Sequence, residues 1–152
     1  MDLDSYPVYS SADLLTHTFE SEGPKGIILK QVKFQRIEKD RYNLAFGDRE
    51  KESAHLNDMV RSNNNDRDKV LASVARIISI FLGKFPNAYV EVAGSTSSRT
   101  RLYQMKLLAR LQQINEQYML QGYTNGHWEN FQTGRKYTTL SITTKMNSHE
   151  SE

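Results

Sequence analysis

Apolar and polar side chains nearly alternate from Ile28 onward: Ile28, Lys30, Val32, Phe34 and Arg36 share one parity, and Leu29, Gln31, Lys33 and Gln35 the other. Such a period of two predicts a half-buried strand. Thr16 to Phe46 as a whole favours strands, with a strong turn signal at Gly23-Pro24-Lys25-Gly26. Glu38-Lys39-Asp40 reads as a polar turn, after which Tyr42, Leu44 and Phe46 alternate with Asn43, Ala45 and Gly47. These two runs pair as an antiparallel hairpin. The period then changes. Val70, Leu71, Val74, Ile77, Ile78, Phe81 and Leu82 fall at helical spacing, with Asp66 placed to cap the helix through its carboxylate and Gly83 and Pro86 placed to stop it.

Between these regions, Arg49 to Asp66 reads as a long polar connection ending in Ser62-Asn63-Asn64-Asn65-Asp66. Ala88 to Ala93 reads as a short buried strand, followed by a small-residue turn and a second helix to about Tyr118. Three short strands complete the pattern, near Met119–Tyr123, Trp128–Gln132 and Tyr137–Thr144, with turns at Asn125-Gly126 and Gly134. The predicted class is α+β: an antiparallel sheet of about five to six strands with two main helices packed on one face. The predicted organisation is an irregular segment over 1–15, one domain over 16–145 and a disordered tail over 146–152.

Composition narrows the chemistry. The 152 residues suit one ordinary domain and contain no cysteine, which excludes disulfides, thiolate metal sites and cysteine nucleophiles. The N-terminus lacks a basic and then apolar leader, and the longest apolar stretch, near Ile77–Leu82, is too short for a membrane span, so a cytoplasmic protein with no membrane partner is expected. The net charge of +2 is unevenly spread: residues 1–66 carry 9 Lys/Arg against 12 Asp/Glu, and residues 67–152 carry 11 against 6. No acidic side chain occurs from Val92 to Asn115, where Arg99, Arg101, Lys106 and Arg110 lie. The implication is a local positive field, not a general nucleic-acid coat.

That acid-free run contains the most informative segment, Gly94-Ser95-Thr96-Ser97-Ser98-Arg99-Thr100-Arg101-Leu102-Tyr103, a turn leading into a helix. A helix start presents free N–H groups and the positive end of its dipole. Gly94 permits close backbone approach, Ser95, Thr96 and Ser97 offer hydroxyls, and Arg99 and Arg101 suit phosphate oxygens. An ordinary capped helix start accounts for the same residues, and the P-loop spacing is absent. At about 100° per residue, Arg99, Tyr103, Lys106 and Arg110 share one exposed face, suited to a nucleic-acid backbone and one stacked base or to plain solvation. Leu102, Met105, Leu108 and Leu111 suit the core. Arg101 lies on the apolar side and calls for a carboxylate partner, with Asp48 and Asp66 as the candidates.

Catalytic signals are thin. The four histidines (His17, His55, His127, His149) show no metal-ligand spacing, and no nucleophile-elbow motif is present. Neither a metal nor a cofactor is expected, with Asp48, Asp58, Asp66 and Asp68 as the only carboxylates that suggest one. Trp128, Phe131 and Tyr137 suit packing of the sheet on a helix or an aromatic binding surface.

Gly23-Pro24-Lys25-Gly26, Tyr42-Asn43-Leu44-Ala45-Phe46-Gly47-Asp48, Ser62-Asn63-Asn64-Asn65-Asp66, Lys69-Val70-Leu71-Ala72 and Gly94-Ser95-Thr96-Ser97-Ser98-Arg99-Thr100-Arg101-Leu102-Tyr103-Gln104-Met105 resemble a bacterial family of unknown function found mainly in Bacteroidetes. Trp128, Phe131, Gly134 and Tyr137 fit the same pattern, so the resemblance runs from about Phe19 to Lys145. It implies a bacterial, intracellular, single-domain protein and no particular chemistry. Asn65 stands where the pattern leads one to expect glycine, although asparagine tolerates positive φ. Three functions are compatible with these observations. One is a binding module for nucleotide or nucleic acid at the Gly94–Arg101 turn; another is a protein-interaction component of a small defence or toxin–antitoxin pair. The third is a phosphate-directed enzyme, a nuclease or phosphotransferase, using Arg99 or Arg101 with Asp48 or Asp66.

Overall fold

A computed structural model describes residues 5–48, 51–53, 64–93 and 98–144, with the side chains of 51–53, 98–101 and 103 left aside. The elements are β1 (Tyr9–Ser10), β2 (Thr16–Gly23), β3 (Gly26–Glu38), β4 (Arg41–Asp48), β5 (Lys51–Ser53), α1 (Arg67–Lys84), β6 (Tyr89–Ala93), α2 (Ser98–Ile114), β7 (Tyr118–Thr124), β8 (His127–Asn130) and β9 (Thr139–Thr144). Among the described residues the sheet has nine strands, more than the five to six expected. Eight form the path β1-β2-β3-β4-β6-β9-β7-β8, and β5 pairs with β4.

The predicted turns are where the hairpins close. Gly23 pairs with Gly26 at the end of β2–β3, and Gly26 adopts φ 86°. Asn125 (φ 52°) and Gly126 (φ 83°) form the two-residue link between β7 and β8, both in the left-handed region that a tight hairpin requires. The segment read as irregular contributes β1, which pairs with β2, and Tyr6, which is buried in the core.

One strand pair departs from the antiparallel expectation: β4 and β6 are parallel, with Arg41 opposite Tyr89 and Asn43 opposite Glu91. The chain reaches β6 through α1, the crossover that a parallel pair needs. Farther along β4, Phe46, Gly47 and Asp48 pair with β5 instead. β4 therefore changes partner from β6 to β5 part-way along its length. The polar connection after Arg49 thus begins with a strand, because pairing on an open sheet edge satisfies its backbone groups.

Both helices share one hydrophobic core with the alternate residues Phe19, Val32, Phe34, Leu44, Phe46, Val90, Val92, Leu140 and Ile142 of the sheet. Every residue of the predicted α1 stripe, from Val70 to Leu82, is buried. Phe81 stacks on Phe34 with centroids 4.0 Å apart and meets Tyr42 edge-on at 4.9 Å. Each such side chain contributes about 1.5–3 kcal/mol by leaving water.

Two details of the helices differ from expectation. The first, α2, ends at Ile114, not near Tyr118: the Asn115 side chain accepts the Gln117 N–H at 2.9 Å, a local turn that competes with helix, and Tyr118 opens β7. Its core stripe is also rotated. Gln104, Leu107, Leu108 and Leu111 are buried, whereas Leu102 and Met105 are 45% and 42% exposed.

Candidate functional site

The described part of the Gly94–Tyr103 segment begins at Ser98, the first residue of α2. The chain leaves β6 at Ala93 and enters α2 at Ser98, five residues on. Gly94, Ser95 and Thr96 lie outside the described residues. Arg99, Arg101 and Tyr103 are positioned by the helix, in its first two turns. That first turn carries no acidic residue.

Gln104 follows on the core side of the same helix. It is 2% exposed, and among the described residues its Nε2 is the buried side-chain atom with no hydrogen-bond partner. Burying an amide donor without a partner costs about 1–3 kcal/mol. Pattern reading missed this residue because a Gln between Tyr103 and Met105 looks like an ordinary surface position.

The Arg101 side chain lies outside the described residues; the two carboxylates weighed as its partners, Asp48 and Asp66, are both described. Asp48 Oδ1 accepts from Lys30 Nζ at 2.6 Å, and Lys30, on the core parity of β3, is 1% exposed. This pair lies toward the end of β4 where β5 has replaced β6. Asp66 holds the N-cap position of α1 but makes no side-chain cap hydrogen bond. Its Oδ2 accepts from Tyr6 Oη at 2.5 Å and Ser21 Oγ at 2.6 Å. The expected cap is thus a tertiary clasp: the carboxylate turns back to the sheet because two hydroxyls converge there. Burial first, and then the Asp66 hydrogen bond, raises the Tyr6 phenol above its ordinary value.

Asn64 completes the clasp. Its amide donates to Gly26 O at 2.8 Å, and its Oδ1 accepts from Lys25 N at 2.7 Å. A Cβ on Gly23 would stand 1.9 Å from Asn64 O, so the hairpin and the helix approach demand glycine there. Asn65 adopts φ 63°, the conformation for which glycine was the family expectation.

Lys106 and Arg110 lie farther along α2. Lys106 Nζ meets Asp68 Oδ1 at 3.1 Å, which joins the third turn of α2 to the first turn of α1. A cleft of about 310 Å³ lies between them, lined by Asn65, Asp66, Arg67, Asp68, Lys69 and Lys106. Among the described residues, no group of three or more His, Cys, Asp or Glu side chains is arranged to hold a metal ion; Asp58 lies outside them. No helix among them is long and apolar enough to cross a membrane.

The three aromatics near Gly134 are divided. Tyr137 is fully buried over Gly122, where a Cβ would meet its ring at 2.3 Å, and Phe131 packs against it with centroids 5.3 Å apart. Tyr137 Oη donates to Glu129 at 2.6 Å and accepts from Gln132 N at 3.0 Å. Trp128, 38% exposed, meets Tyr123 edge-on at 5.2 Å across the β7–β8 pair.

One sheet and two helices on a shared core define an α+β protein. The family model described as "Family of unknown function (DUF6934)" matches residues 2–145, and the chain belongs to that family. No curated protein and no solved structure matches it.

Proposed function

We propose that the protein is a cytoplasmic binding module for a phosphate-bearing ligand, a nucleotide or nucleic acid, seated on the Gly94–Arg101 turn at the start of α2. The observation that supports the reading is the Gln104 amide, a buried donor without a partner among the described residues, six residues after the first residue of a helix whose first turn is free of acidic residues. An anion at that start would accept N–H groups of the first turn and meet the positive end of the dipole. Ser95 and Thr96 would donate their hydroxyls, and Arg99 and Arg101 would neutralise the charge. Lys106 and Arg110 extend the positive field along the same helix.

The test is thermal stability with inorganic phosphate, pyrophosphate, mononucleotides and short oligonucleotides, for the wild type and an Arg99→Ala/Arg101→Ala variant. A ligand at 100 times its Kd should add about 2.7 kcal/mol to the wild type, and the variant should lose that gain. No gain with any phosphate-bearing ligand, or an equal gain in the variant, contradicts the reading.

A further inference from the structure

The outward face of α2 is more apolar than a solvated helix face needs to be. Of the seven large hydrophobic side chains exposed among the described residues, three lie on this helix: Leu102, Met105 and Ile114. Leu102 and Met105 are followed by exposed Ala109 and Gln112, at steps of three, four and three residues. That is the spacing at which one helix seats another along a single seam. Ile114 falls off the seam, at the C-terminal end of the helix.

A hollow lies on either side of this seam, and the two differ in charge. Toward β7 is a groove of about 450 Å³, walled by Met105, Leu120 and Phe131, and no charged residue lines it among those described. Its floor is apolar and fixed: Leu108 and Tyr118 are buried, and Tyr118 is held by a 2.9 Å hydrogen bond to Ser79 of α1. Phe131 is braced by Tyr137, whose hydroxyl is anchored at Glu129 and Gln132 N. Toward α1 is a smaller hollow of about 180 Å³, where Lys106 and Arg110 stand against the single carboxylate of Asp68. Ala109 borders both hollows, so the seam is the ridge between them.

The charges select the occupant. A second copy of α2 would bring Arg99, Arg101, Lys106 and Arg110 to the seam with no acidic residue, and like charges along a helix pair repel. A flat lipid surface would reach Leu102 and Met105 but not the buried floor at Leu108 and Tyr118. A helix laid along the ridge reaches both hollows, with apolar side chains in the uncharged groove and carboxylates beside the cations. We infer that the ridge of α2 docks an amphipathic helix of a partner protein, apolar toward the β7 groove and acidic toward Lys106 and Arg110. The inference does not rest on the phosphate reading, because none of its contacts lies in the Gly94–Arg101 turn.

Fluorescence anisotropy with a labelled helical peptide tests it. The probe carries leucine at steps of three and four along one face and glutamate along one flank. One control has lysine in place of glutamate, and the other has glutamine in place of leucine. The probe should bind saturably, and about tenfold or more tightly than either control, because like-charge contact and lost apolar burial each cost that much. Leu102→Gln/Met105→Gln alters exposed side chains without changing charge and should weaken the probe about tenfold. Lys106→Gln/Arg110→Gln should weaken it and flatten its salt dependence. In the wild type, peptide-induced amide shifts should centre on Met105, Ala109 and Phe131, a readout that needs no variant. Absence of saturable binding, equal binding of either control, full affinity in either variant, or shifts centred elsewhere would overturn the inference. A dimer seen by sedimentation and dispersed by Leu102→Gln/Met105→Gln would assign the ridge to a second copy of the chain. Binding to phosphatidylglycerol vesicles that is lost in the same variant would assign it to a lipid surface, and either result overturns the partner helix.

Discussion

Arg41 holds Glu91 in a two-point ion pair across the parallel strands β4 and β6, with Nε to Oε2 at 2.6 Å and Nη2 to Oε1 at 3.0 Å. Arg41 also pairs with Glu38 beside the β3–β4 turn. The Glu91 hydrogen bond, more than any other cause, raises the Arg41 pKa above its ordinary value. The pair spans the parallel junction of an otherwise antiparallel sheet, where only three register pairs join β4 to β6. Glu91→Gln keeps the shape and removes the charge. It should cost about 1–2 kcal/mol, below the range for a fully buried pair because Arg41 is partly exposed. Arg41→Lys should cost a similar amount, since a lysine cannot form the fork. Urea denaturation checks both, with a lowered midpoint and an unchanged slope expected. Midpoints equal to wild type would show that the pair adds no stability.

Asp66 distinguishes a cap from a clasp. A helix cap of ordinary kind is worth about 1 kcal/mol and serine replaces it well. The contacts found are to Tyr6 and Ser21, so Asp66→Ser should be nearly as damaging as Asp66→Ala, at about 2 kcal/mol or more for a hydrogen-bonded charge. Tyr6→Phe should cost about 1–2 kcal/mol, because it also leaves the Glu22 N–H without the Tyr6 oxygen it uses at 3.0 Å. Denaturation of the three variants decides. A fully stable Asp66→Ser protein would restore the capping interpretation.

His17 makes stability depend on pH. Its ring is buried edge-on against Phe34, Nδ1 accepts from Ser10 Oγ at 2.8 Å, and Nε2 donates to Leu14 O at 2.7 Å. Burial depresses its pKa below 6.5, against smaller opposing effects of the Leu14 carbonyl and Asp13. The unfolded chain therefore takes up the proton first on acidification. The contribution of His17 is complete above about pH 7 and falls as pH drops through 6.5 toward the folded value, by at most about 1.4 kcal/mol per pH unit. His17→Gln should flatten stability between pH 7 and 5. The further loss below about pH 4.5 should remain, because the Tyr137 hydrogen bond, helped by Arg135 and His127, lowers the Glu129 pKa. Denaturation at a series of pH values tests the sign, and an undiminished slope in His17→Gln would contradict it.

The elements legible in the sequence were those with local causes. The Gly23–Gly26 and Asn125-Gly126 turns, the alternation of β3 and the apolar stripe of α1 each need only neighbouring residues to explain them. The parallel pairing of β4 with β6 and the late strand β5 depend on which edges remain open after folding, and no local pattern records that. Lys30 sat in plain view within an alternating strand, but its burial rests on Asp48, eighteen residues away. Asp66 was assigned to the right place and the wrong partners, because Tyr6 and Ser21 come from the far end of the chain. For the candidate site, the acid-free run and the start of α2 could be read directly. The orphan Gln104 amide, the exposed Met105 and the groove beside it could not, since a small rotation of the helix decides which residues face the core.

The most direct test of the central claim is an NMR titration of isotope-labelled protein with inorganic phosphate, following backbone amide shifts residue by residue. The account predicts saturable shifts concentrated at Gly94 to Arg101 and at the Gln104 side-chain amide, and their loss in Arg99→Ala/Arg101→Ala. Shifts spread evenly over the surface lysines, or centred on the Asn65–Lys69 cleft with the α2 start unmoved, would contradict it.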